Sequence, residues 1–467
     1  MEQIIDIENV QYDMIIVGAG IAGSALAYSM GTKGKRVLCV ERDLSEPDRI
    51  VGELMQPGGV QALRELGMED CFEGIDSTLV YGYGIFKEDK GVKLSYPKND
   101  KNQIINGYSF HHGKFVQKLR AKARQSQNVT LLEGTVKSLI EEDEVVKGVR
   151  LTLPNQNDVR EWRAPLTVVC DGCNSNLRRS LISEPITTSS TFVGLILRGC
   201  QLPYQYHGHV FLVDPSPILM YRIGSDEIRV LVDVPGQCPS SSELKKHFET
   251  FVAPQLPESL REAFTTAVKS DQLKKMSNLR LHPQQQSVKP GVIVLGDAWN
   301  MRHPLTGGGM TVALTDVNLL SQKLITVSSW ENHMEINEKL QQFTQQRKPL
   351  AATINVLAGA LYQVFSSDNE DLRKACLGYL GLGGEFSAGP VALLSGLKPR
   401  PTVLAAHFFA VAFYAVFKTV LPFPTPAKIR RCYRVLCAAS EIIIPLLRKE
   451  GVLRYLQILC TTLRLTK

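Results

Sequence analysis

The chain has 467 residues, 44% hydrophobic and 21% charged, with a formal net charge of +7, enough for two or three domains with real cores. Ten irregularly spaced cysteines exclude a disulfide framework and point to a reducing compartment. From Lys398 onward 12 Lys and Arg stand against 2 Glu, so that segment carries +10 and residues 1–397 carry −3; a basic tail with no reading motif excludes a nucleic-acid footprint.

In chain order, Met1 to Gln11 is acidic and lacks the apolar core of a signal peptide. Met14-Ile15-Ile16-Val17 reads as a strand, Gly18-x-Gly20-x-x-Gly23 as a tight turn, and Ser24 to Met30 as a small-residue helix. A second strand, Arg36 to Val40, ends at Glu41, about 20 residues past the glycines, where an acid bonds an adenosine ribose. Strand, turn, helix, strand and Glu together predict a dinucleotide site, and Glu41 favours FAD or NAD over NADP. The adjacent His111 and His112 point apart on any regular element, so packing or a helix cap is expected and shared metal ligation is not. Leu166 to Cys170 is again a strand, followed by Asp171-Gly172-x-x-Ser175-x-x-Arg178. The Cys170/Cys173 pair straddles this motif with no second pair, and no redox or zinc role is expected; no metal site is predicted anywhere.

Gly194–Arg198, Val210–Val213, Leu219–Ile223 and Ile228–Val234 read as strands of a second, sheet-rich domain. Val292 to Leu295 is a further buried strand, followed by Gly296-Asp297-Ala298 and by Pro304-Leu305-Thr306-Gly307-Gly308-Gly309-Met310, opening a helix from Thr311. Asp297 can accept hydrogen bonds from the ribityl hydroxyls of FAD, the glycines let backbone approach the isoalloxazine ring, and the helix amino terminus faces the flavin. Reduced flavin is anionic, so this placement favours reduction.

In the tail, Pro401 to Phe417 holds 17 residues without a formal charge, and Val435 to Leu447 is a second apolar run interrupted by Glu441 and Pro445. Both are short for a bilayer span. With Lys428, Arg430, Arg431, Arg434, Arg448, Lys449 and Arg454 between and after them, helices lying in one leaflet with arginines at anionic headgroups are expected.

Taken in order, GxGxxG, DGxxSxxR and GDA followed by PLTGGGM resemble a flavin-dependent monooxygenase. Gly52-Glu53-Leu54-Met55-Gln56-Pro57-Gly58-Gly59, Phe110-His111-His112-Gly113 and the run from Gly296 to Ala313 resemble the squalene epoxidase (squalene monooxygenase) family, from about Tyr12 into the tail. The expected fold is α/β (α+β): a Rossmann-like FAD-binding domain of the flavoprotein hydroxylase type from 1–55, 106–185 and 285–345, a β-sheet substrate domain from 56–105 and 186–284, and a helical membrane-associated region from 346–467. The resemblance implies conversion of squalene to (S)-2,3-oxidosqualene in sterol biosynthesis, with dioxygen as co-substrate and electrons from NADPH. It also implies an NADPH-dependent diflavin reductase as partner, and attachment to the cytosolic face of the endoplasmic reticulum membrane. By position it carries over Tyr83 for catalysis, and the Tyr83 hydroxyl can bond a polar partner, for which Gln56 is the candidate. For FAD it carries over Ile21 and Ala22 in the turn, Glu41 and Arg42 at the ribose, Arg49 and Arg120 towards phosphates and ring, Val136 beside the adenine, and Asp297 and Met310. The residues themselves also support Gly18, Gly20, Gly23, Gly308 and Gly309. Asp171 is also counted as cofactor-binding, with reductant access or domain packing as the other reading for it and for Arg178.

Such chemistry needs no acid–base dyad; the protein must supply a dry apolar cavity and a pose for one terminal double bond. Phe110, Phe192, Leu212, Leu219 and Pro304 are candidate walls. Two other readings use parts of the same sequence: a single-component flavin aromatic hydroxylase, and a non-enzymatic prenyl-lipid carrier on a related fold.

Overall fold

The computed structural model describes residues 10–88, 90–98, 102–270, 272–283, 289–366 and 370–452. Its first layer is a five-stranded parallel sheet. The Met14–Val17 strand lies between Val37–Glu41 and Leu166–Val169, with Val292–Val294 and Val129–Glu133 at the two edges. Met14–Val17, Leu166–Val169 and Val292–Val294 are buried at every position, as strands covered on both faces require. The helix Ile21–Thr32 packs on this sheet against helices His112–Arg124 and Gly309–Leu324. Three segments far apart in sequence are thereby brought to the carboxyl ends of adjacent strands, where open parallel sheets bind ligands.

A second, seven-stranded sheet runs in the order Lys274–Arg280, Thr187–Leu197, Ile228–Pro235, Ile218–Arg222, Gly208–Phe211, Gly82–Lys87, Lys90–Ser95. It is antiparallel except where Gly208–Phe211 runs parallel to Gly82–Lys87, placing Gly208 opposite Tyr83. Period-two alternation gives this sheet two apolar faces. Val193, Leu195 and Val230 pack on the helix Glu258–Ser270 side. Tyr83, Leu219 and Leu231 pack instead on residues of the carboxyl-terminal helices, among them Leu357, Val364 and Leu446.

Those helices are His333–Phe365, Glu370–Leu380, Glu385–Leu394, Pro401–Val420 and Pro426–Lys449. The 33-residue helix His333–Phe365 runs through position 345/346 without a break. Pro401–Val420 takes in Lys418, Thr419 and Val420 beyond the uncharged run, reaching 20 residues and about 30 Å, the thickness of a hydrocarbon core. Among the described residues it alone is a single helix long and apolar enough to cross a membrane. Leu404, Ala412 and Ala415 bury one face of it, while Phe413 and Phe417 are exposed. Pro426–Lys449 pairs with it and exposes Ile429 and Tyr433 beside the basic residues; Arg454 lies outside the described residues.

Candidate active site

The glycine turn is built by exclusion. Gly18 adopts φ +97°, and a Cβ there would meet the Cys170 carbonyl oxygen at 2.6 Å; a Cβ at Gly23 would lie 1.8 Å from the Gly18 oxygen. Neither position tolerates a side chain, because the Leu166–Val169 strand and the helix close on the turn from opposite sides. A Cβ at Gly20 would meet nothing within 4 Å, since Gly20 faces an open cleft. Glu41, at the end of its strand, accepts the Ala19 N–H at 2.7 Å. Arg120 is buried behind it, donating to the Ala19 oxygen and the Ser45 oxygen, both at 2.9 Å, and lying 3.7 Å from the Glu41 carboxylate. Its fork braces the glycine turn from behind. Arg49 lines the cleft itself, its Nη2 3.9 Å from the Cys173 sulfur and 3.8 Å from the Met276 sulfur.

The opposite wall comes from the carboxyl end of Val292–Val294. Asp297 sits in a one-turn helix, Gly296–Ala298, facing the cleft. Arg178 ties this turn to the Asp171–Gly172 loop by donating to the Cys173, Asp297 and Ala298 oxygens at 2.8, 3.3 and 3.4 Å. Asp171 keeps one buried carboxylate oxygen without a partner, and burial raises its pKa. Further on, Pro304–Thr306 forms a tight turn, Gly307 adopts φ +61°, and the helix starts at Gly309. The three glycines differ in role. A Cβ at Gly308 would strike Ile354 at 2.4 Å, so this glycine is required by the long helix packed behind it; Gly309 is open toward the cleft, its nearest atom being Arg302 Nη1 at 3.8 Å. Gly20, Ile21, Arg49, Asp297, Gly309 and Met310 line one cleft of about 250 Å³. These residues fit a flavin dinucleotide: an open glycine turn at Gly20, an arginine at Arg49, an acid on the far wall at Asp297 and an open backbone at Gly309, with Glu41 at the end of the neighbouring strand behind the turn.

Tyr83 marks the inner end of this cleft. It is buried on Gly82–Lys87, its ring edge-on to Tyr96 with centroids 5.7 Å apart. Tyr96 donates to Gln56 Oε1 at 2.9 Å and its hydroxyl lies 3.4 Å from that of Tyr83; Gln56 Nε2 donates to the Thr306 oxygen at 2.8 Å. Tyr96 thus bridges Gln56 and Tyr83, and Gln56 also acts on the Tyr83 hydroxyl, opposing the rise of its pKa. Burial pushes the Tyr83 phenol up to about 12, so both hydroxyls stay neutral. On the far side of Tyr83 opens an apolar chamber of about 110 Å³, walled by Leu357, Leu361, Val364 and Phe365 of the long helix and by Leu394, Leu404 and Phe408 beyond it. Tyr83, Val210, Leu305 and Thr306 line both cavities.

Several expected residues do not line the cleft. Arg42 is exposed beyond the strand end, and Val136 packs half-buried against the core of the parallel sheet. Ala22 and Gly23 lie inside the helix. Of the candidate walls, Leu219 and Pro304 line the cleft, but Phe110 is core, packed on Phe72 and Phe115, and Phe192 and Leu212 are buried off both cavities. His111 begins the His112–Arg124 helix and pairs with Glu227 at 2.8 Å, while His112 Nδ1 meets the Gly52 oxygen at 3.0 Å. No cluster of three metal-ligating side chains occurs among the described residues.

Comparison with known proteins bears on the family and the fold. The squalene epoxidase family model matches residues 163–433. The chain is 52% identical over 447 residues to squalene epoxidase 2, mitochondrial, of Arabidopsis thaliana, covering 94% of this chain and 76% of the relative. It is 43% identical over 447 residues to the squalene monooxygenase of Mus musculus, with 94% and 78% coverage. Among solved structures, PqsL, a probable FAD-dependent monooxygenase from Pseudomonas aeruginosa, superposes with a TM-score of 0.62 at 21% identity, over 77% of this chain and 97% of that one; the fold is therefore that of the FAD-dependent monooxygenases. With a family match across more than half its length and such relatives across nearly all of it, the chain belongs to the squalene epoxidase family.

Proposed function

We propose that this protein epoxidises squalene where the cleft meets the apolar chamber, using dioxygen and FAD, with electrons drawn from NADPH through a separate diflavin reductase. The observation that carries the reading is the shared wall: Tyr83, Val210, Leu305 and Thr306 border both the cleft and a chamber whose lining is almost wholly hydrocarbon. Bound FAD would supply the reductive activation of dioxygen. Glu41 would hold the adenosine ribose, the Gly18–Gly23 turn the pyrophosphate, and Asp297 the ribityl chain, with Arg49 reaching in from the side. The chamber would orient the isoprenoid chain and keep water from the reacting double bond, where a water-excluded site favours oxygen transfer over hydrolysis. Tyr83, neutral and wedged against Tyr96, would wall the junction and steer one terminal alkene to it. No proton-transfer dyad is required of the protein.

A single GxGxxG turn supports the separate reductase, because nothing in the sequence suggests a second dinucleotide site. Exposed Phe413, Phe417 and Phe423 beside Lys428, Arg430 and Arg434 support attachment of the tail to an anionic membrane surface, which we assign to the cytosolic face of the endoplasmic reticulum. One relative carries a mitochondrial name, so fractionation of cells expressing the tagged protein is the check: enrichment with mitochondria would overturn that assignment. For the reaction, the detergent-purified full chain is given FAD, NADPH, a diflavin reductase and squalene, and products are identified by mass. Oxidosqualene that disappears when the reductase is withheld supports the whole reading. NADPH oxidation without reductase, stimulated by phenols, would favour a single-component aromatic hydroxylase, and a protein that binds no flavin would favour a lipid carrier.

A further inference from the structure

The turn Pro304–Thr306 has no regular element to hold it, yet it carries the chain from Asp297 to the helix that opens at Gly309. Its far end is fixed by the Gln56 amide at the Thr306 oxygen. Its near end is fixed by His303, whose Nδ1 accepts the Leu305 N–H at 3.2 Å. That bond assigns the tautomer: Nδ1 is the acceptor, so the ring proton sits on Nε2. Nε2 lies 3.0 Å from Ser190 Oγ, and Ser190 in turn donates to Asp233 Oδ1. Ser216 donates to the other carboxylate oxygen, and Asn278 Nδ2 donates to Ser190 at 2.9 Å and to Asp233 at 3.1 Å.

Asp233, Ser190 and Asn278 come from three neighbouring strands of the large sheet, and all are at least 97% buried. An acid placed on the apolar face of a sheet is costly unless its acceptors are filled; here three neutral donors fill them, and the arrangement leaves the histidine one orientation. Burial holds the His303 imidazole below its ordinary pKa, which keeps Nδ1 free to accept. The ring also stacks on Tyr362 at 4.0 Å, and Tyr362 belongs to the long helix that walls the apolar chamber. Finally, Asn278 lines the cleft, and its Oδ1 is buried without a partner.

We propose that His303 and Asp233 are positioning residues: Asp233, through Ser190, holds His303 in the tautomer that caps the Pro304–Thr306 turn, and the capped turn fixes a stretch of cleft backbone that would help hold FAD. This rests on the reading of the cleft as the FAD site. It makes the large sheet a support for the flavin turn, in addition to being a wall for substrate.

Two conservative variants separate the cap from simple packing. His303→Asn keeps an acceptor in reach of the Leu305 N–H but is too short for Ser190; His303→Gln reaches Ser190 but offers Leu305 no acceptor. Dissociation of FAD is measured on the full chain by recovery of flavin fluorescence, alongside kcat and KM for squalene. His303→Gln is expected to weaken FAD binding about fivefold to tenfold, the scale of one helix cap, and to lower kcat with the squalene KM unchanged. His303→Asn should stay within about twofold of wild type in FAD affinity, since it retains that cap, and Asp233→Asn should fall between. His303→Gln that binds FAD like wild type, or His303→Asn as impaired as His303→Gln, would overturn the proposal. If Asp233→Asn fails to fold, the His303 pair decides alone. Wild-type protein that binds no FAD would remove the parent reading and this proposal with it, a result distinguishable from any pattern among the variants.

Discussion

Replacing Tyr96 with Phe should damage this protein more than replacing Tyr83 with Phe, although Tyr83 is the residue nearer the proposed chemistry. Tyr96 provides the donor for Gln56 Oε1 at 2.9 Å, and Gln56 is fully buried. Removing that hydroxyl strands a buried amide oxygen, which costs about 1–3 kcal/mol. The same amide fixes the Thr306 carbonyl through its Nε2, so the loss is transmitted to the flavin turn; each 1.4 kcal/mol reaching the transition state lowers turnover about tenfold. Tyr83→Phe removes one member of a hydroxyl pair 3.4 Å apart, beyond the usual range for O–H···O, and its stability cost should be under about 1 kcal/mol. The assay follows the temperature at which bound FAD is released together with the rate of epoxide formation. Tyr96→Phe should lower both, and Tyr83→Phe should lower turnover while leaving the release temperature almost unchanged. A Tyr96→Phe protein as stable as wild type, or a Tyr83→Phe protein less stable than Tyr96→Phe, would show that the Tyr96–Gln56 bond does not brace the turn.

Gly23→Ala places a methyl 1.8 Å from the Gly18 oxygen and should abolish FAD retention through the full purification, read as loss of flavin absorbance; yellow protein would show that the turn yields. Glu53→Gln leaves Arg229, whose Nε and Nη2 grip that carboxylate at 2.8 and 2.9 Å, buried without its counter-charge, at about 3–5 kcal/mol of stability; denaturant melts measure it, and a change under about 1 kcal/mol would contradict the buried-pair argument. Burial and the neighbouring Arg49 lower His112 from 6.5 to about 4. The unfolded chain therefore binds a proton the folded protein excludes between those values, so this contribution to stability is present above pH 6.5 and is lost as pH falls towards 4. His112→Gln should flatten that part of the stability–pH curve, and an unaltered slope would remove His112 as its source.

The features legible in the sequence are those whose physics is local. Gly18, Gly20 and Gly23 belong to one strand–turn–helix unit, and Asp297 with the glycines after it to another, so spacing alone suffices to propose each. Their roles are less local. Nothing in the run Gly307-Gly308-Gly309 says that the middle glycine answers to Ile354 of the long helix while the last faces the cleft. Tyr96 carries no motif, and its importance arises from a partner 40 residues away. The Glu53–Arg229 pair spans 176 residues. Sequence alone puts the apolar chamber too near Phe110 and Phe192, because a large apolar residue looks the same in sequence whether it meets a core or a cavity; only packing of His333–Phe365 across the large sheet distinguishes them. Arg120 is named only by the family resemblance, and the backbone carbonyls it holds are invisible in sequence.

The most direct measurement is to supply isotopically heavy dioxygen to the full chain reconstituted with FAD, NADPH, diflavin reductase and squalene, and to weigh the product. Wild type should form an oxidosqualene carrying one oxygen atom from dioxygen and none from water, and Leu361→Trp, which fills the chamber while leaving FAD bound, should form less of it. Product oxygen derived from water, or full turnover in a chamber-filled variant that retains its flavin, would contradict epoxidation by dioxygen at the chamber.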